Sequence, residues 1–106
     1  MVVLQEKIKI MYLEIVTPEA VLLRSEVDSV TVPGINGEFQ ILENHAAVVS
    51  VLGKGMIKVD ITSKSVDMDA LSPSFSRDQS DKNILLLPVD GGVLELKDNK
   101  IIVLAE

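Results

Sequence analysis

Along most of the chain apolar and polar side chains alternate with a period of two, the spacing of a half-buried strand rather than of a helix. Ile8, Ile10 and Tyr12 alternate with Lys7, Lys9 and Met11, so the first strand is expected to begin early and to turn those three residues inward. Thr17-Pro18-Glu19 reads as a turn, because proline fixes φ and lacks a donor, and residues 20–24 return as the second arm of a hairpin. Asp28, Val30 and Val32 then alternate with Val27, Ser29 and Thr31, up to a stop at Pro33-Gly34-Ile35-Asn36-Gly37. The Asn-Gly pair there favours positive φ and a tight reversal. In the strand that follows, Phe39 and Ile41 are expected inside, with Glu38 and Gln40 outside.

Residues 46–52 are apolar at nearly every position, which fits a central strand or one covered by another subunit. Gly53-Lys54-Gly55 is expected to reverse the chain. Residues 56–62 carry the cleanest alternation, with Ile57, Val59 and Ile61 inside and Lys58 and Asp60 outside. From 63 to 82 serines, Asp, Lys and Pro73 replace the pattern and predict a long mobile loop, either a hairpin tip or a functional lid. Val66, Met68, Leu71 and Phe75 within it could extend the flanking strands or dock on a neighbour. Residues 83–89, 93–97 and 100–104 complete the chain as strands, separated by Asp90-Gly91-Gly92 and Asp98-Asn99, the last two strands forming a hairpin. Roughly eight to nine short strands, with no amphipathic helix of useful length, predict an all-β protein folded as a β-sandwich or barrel.

Composition narrows what such a domain can do. At 106 residues it is one domain, and 47% hydrophobic residues is apolar for so small a chain, so some apolar surface is expected to face a partner. A net charge of −6 argues against nucleic acid, whose binding draws on Lys and Arg neutralising phosphates. With no Cys and a single His, disulfides, thiol nucleophiles, Cys-based zinc sites and multi-His metal sites are excluded, and no cofactor is expected. Charges at Glu6, Lys7 and Lys9 break the apolar run that a signal peptide needs. No stretch approaches the ~20 apolar residues of a membrane-spanning helix, so any link to a membrane is expected through a partner.

Catalytic chemistry finds little material. Glu43 and His45 are two residues apart, on one face if extended, and make the best acid and base pair available; a turn or interface histidine beside a solvated carboxylate is the simpler reading. Gly53-Lys54-Gly55-Met56 lacks the upstream Gly and following Ser/Thr of a phosphate loop. Glu38 and Glu43 read as surface carboxylates, and Tyr12, Phe39 and Phe75 supply few stacking platforms.

The segment Val30-Thr-Val-Pro-Gly-Ile-Asn-Gly-Glu-Phe-Gln-Ile-Leu-Glu-Asn-His-Ala resembles the signature of the ε subunit of F-type ATP synthases. Leu13-Glu-Ile-Val-Thr-Pro-Glu, Leu52-Gly-Lys-Gly-Met-Ile-Lys-Val, Gly91-Gly-Val-Leu-Glu-Leu and Ile101-Ile-Val-Leu-Ala-Glu are similar to other strands of that family's β-sandwich, in the same order. The resemblance covers residues 11–106, leaving 1–10 as an N-terminal extension and 63–82 as an insertion longer than the family's connection. It implies a non-catalytic central-stalk subunit that packs on the γ subunit and touches the polar loops of the c-ring, coupling proton or sodium flow to ATP synthesis made elsewhere. It further implies a peripheral position on the cytoplasmic face of a bacterial inner membrane, with membrane contact only through the complex. Carried over position by position, Pro33, Gly34, Gly37 and Glu38 match the loop that faces the c-ring, and Asn44 and His45 a turn near the stalk interface. His45 could instead be buried and hydrogen-bonded inside the sandwich. Many family members continue past the position of Leu104-Ala-Glu into a helical hairpin that in some restrains ATP hydrolysis or binds ATP, and neither role is carried over. The rival readings are a small-ligand-binding sandwich, with the insertion folded over an apolar pocket, and a hydrolase built on Glu43 and His45.

Overall fold

The computed structural model describes residues 10–61 and 71–106. They form strands β1 (Met11–Val16), β2 (Val21–Val27), β3 (Ser29–Gly34), β4 (Gly37–Ile41), β5 (Val48–Leu52), β6 (Gly55–Asp60), β7 (Ser76–Arg77), β8 (Ile84–Val89), β9 (Gly92–Lys97) and β10 (Lys100–Ala105). The all-β expectation holds, with ten strands rather than eight or nine; the extra one is the two-residue β7, paired with β8. Ser76–Arg77 lies inside the stretch read from sequence as a loop, while residues 62–70, with Val66 and Met68, fall outside the described residues. Leu71 and Phe75 pack against the chain's own core.

One half of the sandwich runs β2-β1-β10-β9-β5 and the other β4-β3-β6-β8-β7; the halves are hydrogen-bonded to one another where β5 meets β3, at Gly34 opposite Leu52. All pairs are antiparallel except β1 with β10, which is parallel. Inward side chains form lateral rows, since residues paired across a sheet share a face. Leu13, Ile101, Leu96 and Val48 make one such row, and Ile41, Val30, Val59 and Leu85 make one in the other half. Apart from the partly buried Val48, these residues belong to a single buried apolar cluster between the halves.

Two sequence readings are corrected by the pairing. In β1 the buried residues are Met11, Leu13 and Ile15, while Ile10 is exposed and Tyr12 half-buried, so the inward set is one residue out of phase with the expectation; Ile8 lies outside the described residues. From Ile10 to Leu13 every residue is apolar or aromatic, so alternation within this segment leaves the phase open. Pairing with β10, whose Ile101 and Val103 point inward opposite Leu13 and Ile15, decides it.

Gly53-Lys54-Gly55, secondly, does not reverse the chain. Both β5 and β6 are antiparallel to β3, so the chain keeps its direction and turns a corner from one half of the sandwich into the other. The ladder along β3 is interrupted there, passing from Thr31 opposite Lys58 to Gly34 opposite Leu52. Pro33, which has no N–H to offer, sits in that interruption and accepts the Gly53 amide at 2.8 Å through its carbonyl. A Cβ on Gly55 would lie 2.7 Å from Cβ of Pro33, so the corner closes only with glycine at that position.

Candidate functional site

The β3–β4 hairpin brings together four of the residues singled out from sequence. Pro33 pairs with Glu38, and Gly34 with Gly37, leaving Ile35 and Asn36 as the tip. Gly37 takes φ of +126°, which only glycine adopts without strain, while Asn36 keeps a negative φ. Phe39 folds its ring over Gly34, where a Cβ would stand 3.0 Å from the ring and 2.8 Å from the Gly37 carbonyl oxygen. The Phe39 ring thus packs directly on the tip, and Ile35 at 63% and Glu38 are exposed on it. Phe39 and Ile41 face the core and Glu38 and Gln40 face out, as the alternation predicts. The Ile35 amide donates to the Val51 carbonyl at 3.1 Å, tying the tip to β5. A shallow hollow of about 350 Å³ opens here between Glu38, Phe39 and Ser50.

Asn44 and His45 lie at the opposite end of β4, about 13 Å of strand away, in a loop of residues 42–47 that is exposed throughout. Asn44 adopts φ of +65° in a turn closed by the His45 amide donating to the Leu42 carbonyl at 3.1 Å. His45 is exposed, with Nδ1 2.7 Å from the carbonyl oxygen of Ala46, so it is not buried within the sandwich. Glu43 is likewise exposed. Among the described residues no group of three His, Cys, Asp or Glu side chains could hold a metal ion.

The apolar surface expected from composition, and hinted at in residues 46–52, lies on the outer face of the β2-β1-β10-β9-β5 half, where sequence reasoning had not placed it. Val51, Val93, Leu104, Val16 and Val21 are successive cross-strand partners and form one apolar row across all five strands. Four of them are exposed, Val51 at 52%, Val93 at 41%, Leu104 at 55% and Val21 at 47%. The next row, Val49, Glu95, Ile102, Glu14 and Arg24, mixes apolar and charged side chains, with Arg24 3.4 Å from Glu14. The row after it carries Lys97, Lys100, Tyr12 and Glu26. The face thus grades from apolar beside the hairpin tip to charged at the end bearing the 42–47 loop. A signal for it was present in residues 101–105, apolar on both parities, as in a strand covered on both faces.

On the β7 side, Asp78 organises its turn: Oδ1 accepts from the Ser80 hydroxyl at 2.6 Å, the Ser80 amide at 2.8 Å and the Asp81 amide at 3.2 Å. The Ser80 hydroxyl, then the Ser80 amide, hold the Asp78 carboxyl below its ordinary 3.8. A depressed folded value means that the stabilisation is present above the unfolded pKa and is lost as pH falls through the folded one, that is, below about 3.8. Protection of the Ser80 and Asp81 amides, taken relative to their intrinsic exchange rates at each pH, is expected to fall over that acid range and to lose this dependence in Asp78→Asn. An unchanged profile in the variant would assign the effect to another carboxylate.

Strand order, the folded-over sheet and the shared core define an all-β sandwich domain whose exposed features are a hairpin tip, an apolar row and a turn-bound loop. Residues 10–82 match the family described as "ATP synthase, Delta/Epsilon chain, beta-sandwich domain", and the chain belongs to that family. It is similar to the ATP synthase epsilon chain of Campylobacter curvus, 36% identical over 83 residues that cover 78% of this chain and 63% of that protein. The epsilon chain of Chlorobaculum tepidum is 35% identical over 74 residues, covering 70% of this chain and 84% of its own length. The fold also resembles, with a TM-score of 0.69 and 15% identity, a chain in the OSCP/F1/c-ring structure of the Euglena gracilis mitochondrial ATP synthase, covering 92% of this chain and 51% of that one.

Proposed function

We propose that this chain is a non-catalytic central-stalk subunit of an F-type ATP synthase, linking the γ subunit to the c-ring and passing rotation driven by proton or sodium flow. The supporting observation is the five-strand apolar row, a continuous strip that no other described residue pairs over and that an apolar partner surface would cover. In this reading γ covers the row, the exposed tip formed by Pro33, Gly34, Gly37 and Glu38 meets polar loops of the ring, and the loop with Asn44 and His45 lies at the stalk interface. Glu38 offers a carboxylate beside the tip, suited to polar loop groups across an interface. The complex would hold the chain at the cytoplasmic face of a bacterial inner membrane; among the described residues no helix is long and apolar enough to cross one.

Because the chain contains no cysteine, single reporters can be placed cleanly. With the γ–c-ring complex of the same organism, wild-type protein is expected to form a stoichiometric complex at micromolar concentration. A Glu38→Cys variant is expected to cross-link to ring loops, and Glu26→Cys, on the charged end of the outer face, is expected not to. No complex, or equal cross-linking from both positions, would overturn this reading.

A further inference from the structure

We infer that Asn99, 55 residues along the chain from Asn44, is the positioning residue that preforms the 42–47 loop for its partner; this rests on the proposed placement of that loop at the stalk interface. Asn99 and Asp98 both take positive φ, 62° and 52°, as the two central residues of the β9–β10 turn, a type I′ arrangement in which Asn is at home. Held there, Asn99 reaches two ways. Its main-chain carbonyl accepts the Tyr12 amide at 2.8 Å, beside the β1–β10 ladder. Its side-chain Oδ1 accepts the Asn44 amide at 2.9 Å.

Asn44 is the residue that most needs fixing in that loop. Its left-handed φ of 65° costs little in Asn but is one of several conformations open to an exposed chain. The loop holds itself through the Leu42–His45 turn and the contact between the His45 ring and Ala46, both local. Asn99 adds the tie to the rigid sheet, and the half-buried Asn99 is better ordered by its surroundings than any of the exposed residues 42–47. A loop already in its bound conformation pays less ordering entropy on docking, so the side chain of a residue outside the contact sets affinity through Asn44.

The test compares Asn99→Gly, which keeps the positive φ and removes the acceptor, with Asn99→Asp, which keeps both. In the free protein, Asn99→Gly is expected to speed amide exchange at Asn44 about fivefold, the equivalent of one ordinary hydrogen bond, and Asn99→Asp to restore it. Affinity for the γ–c-ring complex is expected to fall by a similar factor in Asn99→Gly and to recover in Asn99→Asp, with the melting temperature alike in both. Unchanged exchange at Asn44 in the glycine variant overturns the clasp. Faster exchange with unchanged affinity overturns the positioning role, while wild-type binding to the complex still stands. Absence of binding by the wild-type chain would instead reject the proposed function, with the exchange result unaffected.

Discussion

If γ docks on the apolar row as proposed, replacing Val93 and Leu104 together, by aspartate in one variant and by lysine in another, is expected to weaken that binding by about 100-fold or more in both. The two side chains are direct cross-strand partners at the centre of the apolar row and are 41% and 55% exposed in the free domain. In the complex either charge would be stripped of water with no partner, a cost on the order of 3 kcal/mol or more. In the free domain the same charges stay hydrated, and outward strand positions tolerate them for about 1 kcal/mol or less each. Titration calorimetry separates the two effects when read beside a thermal melt. Using both signs matters because a chain of net charge −6 is steered by electrostatics, so loss in only one variant would point to charge matching rather than apolar contact. Retained affinity in both would remove the row from the interface.

For stability, the largest single effect is expected at Gly92. Its φ is +149°, and a Cβ there would stand 2.3 Å from the carbonyl oxygen of Leu104 and 3.2 Å from the Cα of Ala105. Both obstacles are main chain of β10, the strand that joins β1 to β9, so no side-chain rotation relieves the clash. Gly92→Ala combines a backbone conformation essentially closed to other residues with overpacking against a central strand, and together these cost about 3 kcal/mol or more. For a domain whose whole stability is of the order of 5–15 kcal/mol, urea melts should show a large drop in midpoint. By contrast, Gly37→Ala meets no atom within 4 Å, and its cost is expected to come from its positive φ alone. A Gly92→Ala protein as stable as wild type would mean that β9 and β10 approach less closely than this register requires.

Both predictions turn on residues whose types are plain in the sequence and whose surroundings are not. Val93, Leu104, Val51, Val16 and Val21 stand up to 88 positions apart in number, from Val16 to Leu104, and nothing local marks them as one row. They become a surface only because β1 pairs with β10, β10 with β9 and β9 with β5. Gly92 was legible as a turn residue, but the demand for glycine comes from the Leu104 carbonyl across the hairpin. The Asp98-Asn99 turn was legible as well, whereas its grip on Asn44 joins loops that the chain order keeps apart.

What the sequence determined by itself is what acts over a few residues. Alternation at residues 56–61 assigned the inward faces of Ile57, Val59 and Ile61, Asn36-Gly37 placed a hairpin, and the same local rule exposed Glu38 and turned Ile41 to the core. These succeed because a strand's two faces follow from its own period of two. Where residues of both parities are apolar, as from Ile10 to Leu13, that period leaves the phase open, and the neighbouring strand chose it. Tertiary structure likewise turned the apparent reversal at Gly53-Lys54-Gly55 into a corner and assembled the outer row. The physical reason is common to these: a lateral neighbour in a sheet is set by hydrogen-bonded pairing between distant segments, and that pairing is chosen by the burial of the whole core.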